Sequence, residues 1–136
     1  MRQIHATVLY QWFHEVWNRD DENAIAKLMA ADASAHGILT DDGPKGAEGF
    51  KLFFKNFRSQ FDKVNIDVED VICQDDIEVA RTTVYALDIA SGKNVSFVGL
   101  CMARIKDGKI AEAWNHYDFL GLYMQLGQKL VPAGDA

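Results

Sequence analysis

The residues of this chain best suited to acid/base chemistry lie together in the stretch 109–119. An Asp-Gly pair that favours a tight turn precedes this stretch, so we predict a strand that completes a hairpin. Side chains alternate between the two faces of a strand, and one face therefore carries Glu112, Trp114, His116 and Asp118. If that face points into an enclosed cavity, the end of the strand supplies a proton-transfer group within an apolar wall.

Asp118 and two further candidate residues also have plainer interpretations. Asp118 can cap a short helix that begins near residue 120, because Asp is a favoured N-cap, and the two roles are compatible. His36, near the end of a predicted strand, is a site candidate or an ordinary strand-end histidine. Arg81 lies within an apolar strand, where an unpaired guanidinium is costly, so we expect a carboxylate partner or a ligand anion for it.

Aromatic residues complete the candidate ligand-contacting set, with Tyr10 and Trp17 on the first predicted helix and Phe54 on the third. Phe54 belongs to a stripe of phenylalanines at spacings of three and four: Phe50, Phe53, Phe54, Phe57 and Phe61. A stripe of this kind is more typical of helix-to-sheet packing than of ligand stacking. Tyr10 and Trp17 have the same core interpretation beside the functional one.

Charge and spacing exclude several classes of partner. Fourteen basic against twenty acidic residues give a net charge of -6, which argues against nucleic-acid and anionic-membrane partners. His5 and His14 do not have the spacing of a helical metal pair, and we predict no metal site. Cys73 and Cys101 form no Cys-x-x-Cys pair, which predicts reduced core thiols. Without a signal-peptide pattern or a membrane-length apolar run, we expect a cytoplasmic protein.

Hydrophobic periodicity gives the elements that position these residues. It predicts helices over 4–17, around 21–29, from 44 through the Phe stripe, and over 120–126. It also predicts strands over 31–38, 64–73, 77–89, 94–105 and 109–119. Helices followed by hairpins indicate one α+β domain over residues 1–136, with an antiparallel meander under the helices and a loose tail from about residue 131. The sheet face without helices needs a partner, which predicts a homodimer.

The register between strands 94–105 and 109–119 has two solutions. A plain two-residue turn places Phe97, Gly99 and Cys101 on the face of Asp118. A glycine bulge shifts the pairing and brings in a different set: Val98, Leu100, Met102 and Arg104. The sequence leaves both registers open.

Several short motifs follow one another in a characteristic order: Trp17-Asn18, His36, Gly46 to Phe50, Val79 to Thr82, Asp107 to Ile110 with Glu112 to Trp114, Asp118, and Gln125 to Gly127. From about residue 8 to residue 127 this order resembles the SnoaL-like polyketide cyclase (ester cyclase) family of the NTF2-like superfamily. The resemblance implies an NTF2-like cone (a cystatin-like α+β roll), with three N-terminal helices packed on a strongly curved antiparallel sheet.

The resemblance also implies a chemistry. In that family an aspartate late in the last strand is the general acid/base, and Asp118 occupies its position. The reaction removes a proton next to a carbonyl and returns it after an intramolecular aldol closure, with no metal or cofactor. His36, Arg81 and His116 would orient the substrate, between walls formed by Trp114 and the Phe side chains.

Two other branches of the fold fit less well. An epoxide-hydrolysing branch uses an Arg-x-Asp pair, but Arg81 is followed by Thr82 and Thr83. A ketosteroid-isomerase-like branch needs a Tyr and a protonated acid as oxyanion donors; Tyr10 or Tyr85 could serve, but no matching acid is evident.

Two functions are consistent with these observations. The first is a cyclase or isomerase that acts on a small hydrophobic carbonyl compound. The second is a non-catalytic module that uses the cone to hold a hydrophobic ligand or a partner. An enclosed pocket with Asp118 at its floor would favour the enzyme, whereas a filled cone would favour the module.

Overall fold

The computed structural model describes residues 3–40 and 42–134. The N-terminal helical segment has three parts: a 3-10 turn (Ile4–Ala6), α1 (Val8–Gln11) and a π-helix (Trp12–Asn18). The other helices are α2 (Asn23–Leu28), α3 (Gly46–Gln60) and α4 (Phe119–Gln125). The strands are β1 (Met29–His36), β2 (Phe61–Gln74), β3 (Ile77–Asp88), β4 (Asn94–Lys106) and β5 (Lys109–Tyr117).

One five-stranded sheet has the order β1-β5-β4-β3-β2. Strands β2 to β5 form the predicted antiparallel meander, while β1 pairs with β5 in the parallel direction. The predicted α+β fold is confirmed, with helices packed against the meander. The parallel pairing of β1 was not predicted, because it joins segments far apart in the chain and no turn between them sets the direction.

Two predicted helices differ from the observed ones in detail. The first was predicted as continuous over 4–17, but its hydrogen bonding changes from 3-10 to α to π along its length. The Phe stripe predicted Phe61 on the third helix, whereas Phe61 is the first residue of β2. Its ring still stacks on Phe57, with centroids 4.7 Å apart, so the stripe continues across the helix end.

The N-terminus of α1 is held to the sheet by a buried carboxylate. Glu78 of β3 is 1% exposed and accepts hydrogen bonds from the backbone N–H groups of Leu9 (2.8 Å) and Val8 (3.2 Å). Thr7 caps the same turn by accepting from the Tyr10 N–H at 3.2 Å. These bonds satisfy donors that every helix start leaves without intrahelical partners, and they fix the helix over the sheet.

The hairpin between β4 and β5 decides which side chains face the helices. Asp107 and Gly108 have φ values of 53° and 76°, which a two-residue hairpin turn requires. A register shift follows, after which Met102 pairs with Trp114 and Leu100 with His116. Of the two registers left open, the bulged one is observed.

This register divides the sheet into two faces. The inner face, which packs against the helices, carries Phe97, Gly99, Cys101, Asn115 and Tyr117. The outer face carries Val98, Leu100, Met102, Trp114 and His116. Along β4 buried and exposed residues alternate from Val95 to Ala103, as the two-residue period of a strand requires. No described helix is long and apolar enough to cross a membrane.

Candidate functional site

A small apolar cavity lies between the helices and the inner face of the sheet. Nine of its fourteen lining side chains are aromatic: Trp12, Phe13, Trp17, Phe50, Phe53, Phe57, Phe97, Tyr117 and Phe119. Four are aliphatic: Ile38, Val64, Ile66 and Val84. Asn115 completes the set. The lining therefore contains no carboxylate, lysine, arginine or histidine among the described residues.

The cavity volume is about 50 Å³. This is about a third of the roughly 150 Å³ of an apolar cavity that accepts benzene. Several lining side chains, among them Ile38, Phe53 and Phe57, are partly exposed, so the cavity opens to solvent on one side. A molecule of one ring would therefore fill the cavity and extend into its mouth.

Asn115 is fixed by the edge strand β1. Its Nδ2 donates a hydrogen bond to the backbone carbonyl oxygen of His36 at 3.0 Å. A carbonyl oxygen can only accept, which assigns the nitrogen of the carboxamide to this side and leaves Oδ1 as the free end. Among the described residues, no donor is paired with that Oδ1.

Tyr117 lies flat across β4 because Gly99 has no side chain. A Cβ at position 99 would stand 2.1 Å from Cδ1 of the Tyr117 ring, well inside contact distance. The Tyr117 hydroxyl reaches Thr82 on β3, and Thr82 Oγ1 lies 3.5 Å from the Gly99 carbonyl oxygen. Gly99 thus provides the space for the ring, and Thr82 holds its polar end.

The two titratable groups beneath the cavity are neutral at physiological pH. Burial raises the pKa of Tyr117 well above its usual value, the nearby Cys101 raises it further, and the hydrogen bond with Thr82 lowers it. Burial also raises the pKa of Cys101 to about 12. Tyr117 is therefore a phenol rather than a phenolate, and it does not act as a base here.

Asp118 does not point into the cavity. It is exposed and is the N-cap of α4, where Oδ1 accepts a hydrogen bond from the Gly121 N–H at 2.9 Å. The capping interpretation is confirmed, and the predicted inward position is wrong. The reason is strand alternation: β5 turns Ala113, Asn115 and Tyr117 inward, so Trp114 and His116 face outward.

His36 and Trp114 form a separate cluster on the outer face. His36 Nε2 lies 2.8 Å from Glu112 Oε2, and its ring stacks on Trp114 with centroids 5.7 Å apart. His116 is exposed and pairs with Leu100 on the same face. The sheet therefore separates these side chains from the cavity, and their predicted place in its wall is wrong.

Arg81 has the carboxylate partner that was expected. Its guanidinium contacts Asp70 on the neighbouring strand, with Nη2 and Nε at 2.7 and 2.8 Å from Oδ2. Both side chains are more than half exposed, so this pair lies in solvent and not in an apolar strand interior. Arg81 does not reach the cavity.

Of the three aromatic candidates, one lines the cavity and two do not. Trp17 is the lining residue, as predicted. Phe54 is buried core beside it: its ring packs 5.0 Å from the Trp17 ring and below the Arg58 guanidinium at 5.2 Å. Tyr10 packs between the rings of His5 and His14 and does not line the cavity.

The sequence profile of the SnoaL-like polyketide cyclase family matches residues 7–126. The chain belongs to that family. No curated protein sequence is significantly similar to this SnoaL-like chain. Among its described residues, no three His, Cys, Asp or Glu side chains are grouped as ligands of a metal ion.

Solved structures share the fold of this SnoaL-like protein. A provisionally named polyketide cyclase from Bacillus cereus is 28% identical, with a TM-score of 0.79 over 96% of this chain and 87% of its own. TsrD from Streptomyces laurentii is 22% identical, with a TM-score of 0.75 over 88% of this chain and 92% of its own. A hypothetical protein with a ketosteroid isomerase-like fold from Catenulispora acidiphila, solved with trimethylamine, is 15% identical, with a TM-score of 0.78 over 93% of this chain and 98% of its own.

Proposed function

We propose that the cavity binds a small, neutral aromatic molecule between the π-helix, α3 and the inner face of the sheet. The observation that carries this proposal is the lining itself, in which nine of fourteen side chains are aromatic. Aromatic rings prefer edge-to-face and offset contacts with one another. The rings of Trp12, Trp17 and Phe50 already pack edge-to-face, which leaves ring faces and edges for a further ring.

The electrostatics of the cavity support a neutral ligand. A buried ion needs a countercharge, because transferring an unpaired ion from water into an apolar site costs far more free energy than a hydrogen bond contributes. The described lining offers only the Asn115 amide, the Tyr117 phenol and the indoles of Trp12 and Trp17 as polar groups. An organic acid or an amine in its charged form would have no partner there.

Filling the cavity tests this binding proposal. Val84 lines the cavity from β3, and a Val84→Phe substitution would occupy much of its volume. Ile89, exposed after the end of β3, provides the control substitution Ile89→Phe. In calorimetric titrations with small aromatic compounds, Val84→Phe should lose binding while Ile89→Phe binds like wild type. Equal affinity in both variants would place the ligand elsewhere and overturn the proposal.

A second candidate function is cyclase-type catalysis with Asp118 as acid/base. Family membership favours it, as does the position of Asp118 between two cavity-lining residues, Tyr117 and Phe119. Its exposed carboxylate would remove a proton next to a carbonyl of a substrate at the rim. The enolate would then attack a second carbonyl of the same molecule, and the proton would return to the new alkoxide.

The substitution Asp118→Asn tests this role while keeping a capping side chain. Positioned acid/base groups contribute about 10²–10⁴-fold in rate, so turnover of a dicarbonyl substrate found by screening should fall by that factor. The melting temperature should stay close to that of the wild type. Full activity of the Asn variant would exclude the acid/base role of Asp118.

We also propose that the outer face pairs with the same face of a second copy. Three neighbouring apolar residues of β4 are well exposed there, Val98 at 56%, Leu100 at 50% and Met102 at 38%. The Arg81–Asp70 pair beside them offers both charges, which suits self-pairing about a two-fold axis. Light scattering at micromolar concentration should give a dimer for wild type and Ile89→Lys and a monomer for Leu100→Lys. A monomeric wild-type protein would contradict this proposal.

A further inference from the structure

Asn115 lines the cavity, and the end of its carboxamide that remains free is a hydrogen-bond acceptor. Its Nδ2 is used by the His36 carbonyl oxygen at 3.0 Å, so the carboxamide cannot turn over without losing that bond. The side that remains for a ligand is Oδ1. A ligand that reaches it must bring an O–H or N–H group.

This acceptor lies on an inward position of β5 and selects the polar group of the ligand. A molecule that only accepts hydrogen bonds, such as an aryl ketone or ether, would leave Oδ1 of Asn115 without a donor and remove its hydration on entry. Leaving a buried polar group without a hydrogen-bond partner costs more free energy than a hydrogen bond contributes. A single O–H group meets this acceptor, and the rest of the ligand can remain apolar, as the lining requires.

We infer that the cavity takes a one-ring aromatic molecule with a free hydroxyl group, a phenol or a benzylic alcohol, whose O–H donates to Oδ1 of Asn115. This inference rests on the proposed binding function and adds the identity of the ligand's polar group. The small volume limits the ring system, the aromatic lining selects a ring, and the fixed carboxamide selects a donor.

Three matched compounds test the inference on the wild-type protein: phenol, anisole and toluene. Anisole keeps the ring and the oxygen of phenol but has no donor, and toluene has neither. One net hydrogen bond corresponds to about tenfold in affinity, so calorimetry should show phenol binding about tenfold more tightly than anisole. Asn115→Leu should abolish that preference, whereas Asn65→Leu, at an exposed asparagine of β2, should retain it.

The three tryptophans report where binding occurs. In ¹H–¹⁵N spectra phenol should shift the indole resonances of Trp12 and Trp17 and leave that of Trp114, on the outer face, in place. Anisole binding as tightly as phenol at the same two indoles would overturn the hydroxyl inference and leave the binding proposal intact. If none of the three compounds shifts Trp12 or Trp17, the binding proposal itself fails. The wild-type comparison does not depend on whether Asn115→Leu folds.

Discussion

Replacing Gly99 with Ala should destabilise the protein through one identifiable clash. The new Cβ would lie 2.1 Å from Cδ1 and 2.4 Å from Cε1 of Tyr117, and the ring cannot stay in place. It would have to move into a cavity of about 50 Å³ and give up the hydrogen bond with Thr82. Overpacking of a core costs about 1–3 kcal/mol and a lost buried hydrogen bond about 1 kcal/mol.

A smaller effect opposes this cost. Glycine in a strand is less favourable than alanine by about 0.5–1 kcal/mol, so the net loss should be about 2 kcal/mol in the free energy of unfolding. For a small domain with an m-value of about 1–3 kcal/mol/M, urea denaturation should show a midpoint lower by roughly 1 M.

A double-mutant cycle separates the clash from any general effect of alanine. In a Tyr117→Leu background the ring is gone, and Gly99→Ala should cost little or become favourable. The coupling energy between positions 99 and 117 should therefore approach 2 kcal/mol. Gly92, whose built Cβ meets nothing within 4 Å, is the control, and Gly92→Ala should cost the same in both backgrounds. Equal costs of Gly99→Ala with and without the Tyr117 ring would refute the packing argument.

Three further predictions concern stability and reactivity. Glu78→Leu removes the acceptor of the Leu9 N–H and should lower the free energy of unfolding in urea by about 2–4 kcal/mol. Glu78→Gln should lower it much less, and equal losses would contradict the capping role of the carboxylate. Asp118→Ala should lose about 1 kcal/mol relative to Asp118→Asn in the same assay, and no difference would contradict the N-cap. Cys101, with a pKa of about 12, should resist iodoacetamide at pH 8 in the folded protein, while the less buried Cys73 is labelled. Peptide mapping distinguishes the two sites, and rapid labelling of Cys101 would contradict its burial.

The fold follows from the sequence because its signals are local. Apolar residues at spacings of three and four, strand alternation and the Asp107–Gly108 turn each depend on neighbours within a few residues, and they placed the elements within a few positions. The π-helix did not follow, because an apolar stripe does not distinguish α from π hydrogen bonding. The parallel partner of β1 did not follow either, since no local feature joins residues 29–36 to β5.

The inward face of β5 is the feature that the sequence predicts wrongly. Both faces of β4 are apolar, so the hydrophobic pattern alone does not distinguish them. A shift of the register by one residue moves every side chain of the strand to the opposite face. One signal was nevertheless present in β3, where Arg81 is a poor inner-face residue. Arg81 pairs with Leu100 and Leu100 with His116, so an outward Arg81 turns His116 outward as well. Tyr117 then lies inside.

The exchange of faces separates the proposed ligand-binding cavity from Asp118, the proposed acid/base residue. Tyr117 forms part of the cavity floor, and burial raises the pKa of its side chain. Among the described residues, the cavity lining has no group that accepts a proton near neutral pH. Under the catalytic proposal, proton transfer would use Asp118 outside the floor, and a one-ring ligand that contacts Asn115 need not reach it. Asp118→Asn should accordingly leave the affinity for phenol unchanged, as measured by calorimetry. A fall of tenfold or more would show that the carboxylate contacts the ligand and that one site performs both functions.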